Sequence, residues 1–186
     1  MQYVNQYDSE ANCSSVGEKT EQLFKNLAES KGYTVKNASK EENIFKHVDF
    51  FLAKLKKGEG VKSTSVDVKA RKKNKRSDEF FDDDWTWLEF VNVNGQDGWL
   101  KGKAEFISFE RAEDFVIVPR EPLLNWAKEQ IKIKNKGVSI KAMAKNAADA
   151  KYKYYTRSGR QDLLTQVHVN DVLSGVKGIK IWKKSD

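Results

Sequence analysis

The sequence predicts a mixed α/β (α+β) domain in which a central mixed sheet is flanked by helices. Three observations predict it: helical spacing of apolar residues near the N-terminus, a run of alternating apolar segments in the middle, and a second helical pattern after two prolines. A helix, a run of strands and a second helix, in that order, is typical of this class. With 186 residues the chain is long enough for one domain with its own core.

The first helix is predicted within residues 17–33. Leu23, Phe24 and Leu27 form one helical stripe there, and Gly32 is a plausible stop. A polar lead, residues 1–16, comes before it. The rest, residues 17–186, is interpreted as a single domain with a core of about 17–131 and a basic C-terminal extension, 132–186.

The strands are predicted from alternation and turn signals. Residues 47–55 and 63–71 read as a hairpin joined by a glycine-containing turn. An extended β-meander over 85–118 follows, with strands predicted at 85–93, 99–110 and 114–120. The second helix spans 121 to about 131, with Pro122 in its first turn. Further on, 139–151 is a candidate helix, 152–168 a pair of short strands or loops, and 178–184 a final strand.

Composition excludes several kinds of site. One cysteine and two histidines cannot build a zinc site of four cysteines, or of two cysteines and two histidines, within one chain. There is no G-x-S-x-G elbow and no complete phosphate-binding loop. Any catalytic metal would therefore sit mainly on carboxylates, which suit Mg2+ or Mn2+.

The same composition sets an expectation for the compartment. A lone cysteine, no signal-like start and no apolar run of about 20 residues predict a cytoplasmic protein without a membrane span.

The net charge is +7, and the basic residues are concentrated in two regions. Residues 69–76 carry six basic side chains, and five acidic ones follow in 78–84, so two interpretations stay open: a solvated loop whose charges neutralise one another, or a loop that contacts phosphates. Residues 128–160 form the second region, which is either a nucleic-acid groove or a solvated face. The candidate nucleic-acid-binding residues are Arg71, Lys72, Lys73, Lys75, Arg76, Arg157 and Arg160.

Asp67 and Lys69 are the most informative pair in the sequence. Side chains two apart on a strand share a face, so these two point the same way while Val66 and Val68 point the other way. If the hairpin forms, Asp49 on the partner strand comes close to Asp67, and two close carboxylates favour a divalent cation between them. Such a site can hydrolyse a phosphodiester. The structural alternative is a same-face ion pair between Asp67 and Lys69.

These residues resemble the PD-(D/E)XK nuclease superfamily, with its restriction-endonuclease-like core of helix, strand hairpin, strand, helix and strand. The resemblance implies that Asp49 and Asp67 are metal ligands, together with the Val68 carbonyl, and that Lys69 faces the phosphate and the attacking water. Gly17 followed four residues later by Glu21 is similar to the pattern in Holliday-junction-resolvase-like members, which implies that Glu21 is an accessory ligand.

The resemblance implies a metal-dependent DNA endonuclease that uses a water activated by Mg2+ or Mn2+. Many members dimerise to cut two strands, so a homodimer stays open. The alternative is a non-catalytic nucleic-acid-binding protein on the same fold. Glu89 and Glu105 are further candidates to face the site, whereas Trp85, Trp87 and Trp99 are interpreted as core or sheet-covering residues.

Overall fold

The structure, a computed structural model, describes residues 12–56, 60–73, 79–135 and 143–185. Within these ranges the strands are β1 (Thr34–Asn37), β2 (Phe50–Lys56), β3 (Gly60–Lys69), β4 (Trp85–Val91), β5 (Phe106–Glu110), β6 (Asp114–Pro119), β7 (Leu163–His168) and β8 (Lys180–Lys183). The helices are α1 (Asn12–Ser30), α2 (Lys40–Lys46), α3 (Arg120–Lys134) and α4 (Val169–Gly175). The predicted mixed α+β class, with a central mixed sheet flanked by helices, is confirmed.

In the described part of the chain, six strands form the main sheet in the order β1-β2-β3-β5-β6-β8. Only β3 and β5 are parallel, and the other neighbours are antiparallel. β4 and β7 form a separate antiparallel ribbon. The hairpin of β2 and β3 forms as predicted, and it lies near the middle of the sheet.

The two faces of the main sheet carry different cores. On one face, Phe24, Leu27 and Ala28 of α1 pack with residues that include Val66 and Val68 of β3. On the other face, α3 and the ribbon pack over a second cluster, whose members include Leu88, Ile107, Phe109, Val116, Leu123 and Val167. The sheet is therefore a middle layer, and alternate residues of β3 face opposite cores.

The first helix is confirmed in its C-terminal part. α1 ends at Ser30, and Gly32 follows with φ +79°, a left-handed conformation that favours glycine. The helix begins at Asn12, inside the predicted polar lead. Leu23 departs from the predicted stripe because it is exposed, whereas Phe24 and Leu27 are buried.

Several element predictions need correction. The strand predicted over 99–110 begins only at Phe106, because Trp99–Lys101 forms a 3-10 turn that buries Trp99 and Leu100. The strand at 85–93 exists as β4, but it belongs to the ribbon instead of the main sheet. β1, α2 and α4 were not predicted. Of the candidate helix 139–151, residues 136–142 lie outside the described residues, and the described remainder has one 3-10 turn, Ala147–Asp149.

None of the described helices is both long and apolar enough to cross a membrane.

Candidate metal and phosphate site at the end of β3

Asp67 and Lys69 lie on the same face of β3, as their spacing predicts. The Lys69 Nζ is 2.6 Å from Asp67 Oδ1. Asp67 is buried, with 2% of its surface exposed, while Val66 and Val68 pack against α1 on the other face. The register pairs Asp67 with Ile107 and Lys69 with Phe109 of β5, so the pair sits against the α3 side of the sheet.

Asp49 lies where β2 and β3 stop pairing. The last paired residues are Phe50 and Val66, and Asp49 is the residue immediately before β2. Its Oδ2 accepts a hydrogen bond of 2.6 Å from the backbone N–H of Val68. The Asp49 carboxylate therefore bonds directly to the backbone between Asp67 and Lys69, which brings the two aspartates together as the hairpin argument predicts.

Asn43 holds the other oxygen of this carboxylate. Its Nδ2 donates to Asp49 Oδ1 at 2.5 Å. Asn43 belongs to α2, and sequence reasoning missed both. A signal was available, because Ser39 and Glu42 form a capping box in which each side chain bonds the backbone N–H of the other residue.

Glu21 approaches the same site from α1. It is half-buried, and burial together with the nearby Asp49 carboxylate raises the pKa of Glu21 to about 7, against the opposing effect of Lys69. The charges of Asp49 and Lys69 therefore act on Glu21, although Glu21 does not complete a group of three metal-binding side chains among the described residues.

Burial and crowding of like charges also set the proton affinity of Asp67. Burial, with Asp49 adding to it, raises the pKa of Asp67 to about 8 although Lys69 opposes the shift. Burial also disfavours the charged form of Lys69, but Asp67 and Asp49 outweigh it, so the pKa of Lys69 lies above its ordinary value. The raised pKa values mean that ionised Asp67 and Glu21 are disfavoured in this cluster, and additional positive charge nearby would favour their ionised forms.

Asp67 has one oxygen available for a further ligand. Among the described residues, no hydrogen-bond donor reaches its buried Oδ2. Buried carboxylate oxygens normally have partners, so this atom marks a position for a cation or a water. Among the described residues, no three aspartate, glutamate, histidine or cysteine side chains are arranged so that they could hold a metal ion together. Mg2+ commonly uses one or two carboxylates and keeps several waters, so Asp49 and Asp67 are a sufficient protein contribution.

Glu110, at the end of β5, ties three segments together beside the site. Its carboxylate accepts hydrogen bonds from Thr20 Oγ1 at 2.7 Å, from the Arg71 backbone N–H at 3.2 Å and from Lys184 Nζ at 2.8 Å. Burial raises its pKa, but these donors outweigh it and hold the pKa of Glu110 below the ordinary value. Thr20 precedes Glu21, and Arg71 follows Lys69 by two residues. The Glu110 network therefore ties the α1 segment next to Glu21 to the chain that follows Lys69.

Of the other acidic candidates, Glu89 acts electrostatically on Lys69, whereas Glu105 bonds elsewhere on β3. The Glu89 charge contributes to the raised pKa of Lys69. Glu105 instead accepts hydrogen bonds from Thr64 Oγ1 at 2.9 Å and from the Ser65 N–H at 3.0 Å, earlier on β3.

The basic segment after Lys69 folds back on the acidic segment. Arg71 makes two hydrogen bonds to Asp83, at 2.7 and 3.1 Å, and its guanidinium lies 4.9 Å from the ring centroid of Phe81. Of the two interpretations of this segment, Arg71 therefore fits the one in which basic and acidic side chains neutralise one another. Lys72 and Lys73 lie in the same described stretch, and Lys75 and Arg76 lie outside the described residues.

Arg157 and Arg160 are not brought to the site. The Arg157 guanidinium bonds the carboxylate of Asp162, which is 1% exposed. The turn that holds both arginines is bonded near Val93, which follows the C-terminal end of β4. Lys72 lies near the opposite end of β4, where Trp85 begins the strand. The structure thus gives Arg157 a structural partner, and a phosphate contact at Arg160 stays a prediction.

Comparison with known proteins adds no relative: no protein-family model, curated protein or solved structure matches this chain.

Proposed function

We propose that the protein is a divalent-metal-dependent nuclease that hydrolyses phosphodiester bonds, with DNA as the expected substrate. The observation that carries the proposal is the convergence of Asp49, Asp67 and Lys69 at the end of β3, where Asp67 presents a buried oxygen without a donor among the described residues. An ordinary surface ion pair would not bury an aspartate beside a second carboxylate.

The donor set suits Mg2+ or Mn2+. Asp49 and Asp67 would hold the cation, with the Val68 carbonyl and Glu21 as the further ligands that the family resemblance implies. When bound, the cation would lower the pKa of water and stabilise negative charge on the phosphate.

The chain's own residues have separable roles. Asn43 and the Val68 N–H fix the Asp49 carboxylate through both of its oxygens. Lys69, held against Asp67, supplies the positive charge that would meet the phosphate and orient the attacking water. Burial keeps Asp67 out of bulk water, which strengthens its attraction to any positive charge nearby.

The order of elements supports the resemblance to the PD-(D/E)XK nucleases. α1 precedes the β2–β3 hairpin, β5 lies parallel to β3, and α3 and β8 follow. The diversion of β4 into the ribbon is a departure from that core.

The direct test is cleavage of a panel of duplex DNA, single-stranded DNA, branched DNA and RNA, with Mg2+, with Mn2+ and with a chelator. We expect cleavage only with metal, and its loss in Asp67→Ala and in Lys69→Ala while nucleic-acid binding persists. Lys183→Ala is the matched control, because Lys183 also pairs with a buried aspartate, Asp114, at 3.3 Å. Cleavage that survives in both site variants would overturn the assignment.

A non-catalytic nucleic-acid-binding protein is the second candidate. It is favoured by one observation: both Asp49 oxygens already accept hydrogen bonds within the protein. A metal titration followed by calorimetry separates the two. A nuclease site binds Mg2+ or Mn2+ and loses that binding in Asp49→Ala, whereas a binding module shows only salt-dependent affinity for nucleic acid.

A further inference from the structure

A cleft lies directly beside Lys69, between the main sheet and the ribbon. Lys69 and Phe109, paired across β3 and β5, form part of its floor, and Trp99 lines it as well. Trp85 and Trp87 of β4 line the opposite side. Asp49, Asp67 and Glu21 do not line this cleft, so it adjoins the proposed metal site through Lys69 alone.

Two of the indole rings that line the cleft lie beside ammonium groups, and the lining includes acidic side chains, Asp82, Asp83 and Glu110, as well as basic ones. The Lys69 Nζ is 5.3 Å from the ring centroid of Trp99, and the Lys151 Nζ is 4.1 Å from that of Trp85. Lys72 lines the outer part. Flat aromatic faces next to ammonium groups are the surface on which nucleobases stack while their phosphates are neutralised.

Trp87 is the ring best placed to accept a base. Trp99 is 7% exposed and serves the core, as the sequence interpretation had it, and Trp85 is covered by Lys151, Tyr152 and His168. Trp87 is half-buried and has a tilted ring contact with Tyr155 at a centroid distance of 6.0 Å. Trp87 thus lines the cleft, is only partly buried, and has a described ring contact with Tyr155.

We propose that this cleft binds an unpaired nucleobase of the nucleic-acid strand, stacked on Trp87, next to the phosphate held at Lys69. The inference rests on the proposed function and narrows its substrate class to strands with an unpaired or extruded base. In an intact duplex both faces of a base are covered by its neighbours, so a duplex cannot present a base to Trp87 unless that base leaves the stack.

The test is equilibrium binding of fluorescently labelled oligonucleotides in the presence of a chelator, so that no cleavage occurs. The probes are a single strand, the matching duplex, and a single strand with abasic sugars in place of its central nucleotides. The variants are Trp87→Ala, which removes the ring, and Trp87→Phe, which keeps an aromatic face. Trp182→Phe is the control, because Trp182 stacks on Phe24 in the core on the other side of the sheet.

We expect Trp87→Ala to bind the single strand about 5- to 150-fold more weakly, the range that loss of one base–aromatic stack produces. Trp87→Phe should keep most of the affinity, Trp182→Phe should equal the wild type, and duplex affinity should change little in all three. The wild type should also prefer the normal single strand over the abasic one. This last comparison needs no variant, so it tests the proposal even if Trp87→Ala fails to fold.

Equal binding of normal and abasic strands by the wild type would overturn the proposal, as would unchanged single-strand affinity in a folded Trp87→Ala. The proposed function is judged separately by metal-dependent cleavage. Base-dependent binding without any cleavage would support base binding in the cleft and reject the proposed nuclease activity. Cleavage with base-independent binding would support the nuclease activity and reject base binding in the cleft.

Discussion

Asp67→Asn is expected to gain stability relative to the wild type as the pH rises from 5 to 9. Asp67 is 2% exposed, and burial raises its pKa to about 8 from 3.8. An acid whose pKa is higher in the folded than in the unfolded chain contributes stability that is fully present below pH 3.8, and that stability is lost as the pH rises through about 8. Asparagine has the same shape and no charge, so it should remove this loss.

The size of the effect follows from the two pKa values. Between them, each pH unit changes the free energy of unfolding by roughly 1.4 kcal/mol. From pH 5 to pH 9 the wild type should therefore lose about 4 kcal/mol relative to Asp67→Asn, because the pKa of about 8 ends the loss before pH 9. In the wild type Lys69 stays protonated over this range, since its pKa lies above the ordinary value.

The assay is urea unfolding of the wild type and the variant at pH 5, 7 and 9 with a chelator present. Asp114→Asn is the matched control, because Asp114 is also a buried strand aspartate at 2% exposed. Burial raises its pKa, but Arg111 and Lys183 outweigh burial and lower the pKa of Asp114 below the ordinary value. Its contribution is therefore present above pH 3.8, so Asp114→Asn should be destabilised by a similar amount at pH 5 and pH 9.

The reasoning is refuted if Asp67→Asn behaves like the control, with a constant loss of stability across the pH range. Asp67 and Lys69 would then be a structural ion pair, and the unfavourable ionisation of Asp67 that a bound cation would relieve would be absent.

Three further predictions test the surroundings of the site. Arg157→Ala should lower the free energy of unfolding by about 1.5–3 kcal/mol, because it removes the charged partner of the buried Asp162, which keeps only the backbone N–H of residue 157; if nucleic-acid affinity falls and stability does not, Arg157 binds phosphate instead. Asn43→Ala should weaken Mg2+ binding or cleavage by about 10- to 100-fold, and unchanged metal affinity by calorimetry would count against its positioning role. Gly98→Ala should lower the melting temperature, because a Cβ there would lie 2.6 Å from the Glu89 carbonyl oxygen, and an unshifted melting curve would contradict this.

The part of the site on β3 could be predicted because strand geometry fixes it. A period of two places Asp67 and Lys69 on one face whatever the rest of the fold does. Asp49 could be predicted from its position in a very apolar segment, since a charge there needs a partner. These inferences use only neighbouring residues and one hairpin.

The rest depends on pairings that no local pattern encodes. β4 alternates like any strand, and nothing in its residues says that β7 is its partner instead of the hairpin. The four residues of β1 are too few for a periodic signal. The charge of residues 69–76 showed that a basic segment exists, but only the fold shows that Arg71 turns to Asp83.

The Glu110 network gives the C-terminus a part in the site. Lys184 follows the last strand, β8, and shares the Glu110 carboxylate with Thr20 of α1 and with the Arg71 backbone N–H. Detachment of β8 would withdraw Lys184 from the carboxylate that also holds Thr20 of α1 and the Arg71 N–H, and so would disturb both of those bonds in one event. The Arg71 amide is therefore a built-in reporter: its hydrogen-exchange protection should rise and fall with the docking of a strand more than 100 residues away in the sequence.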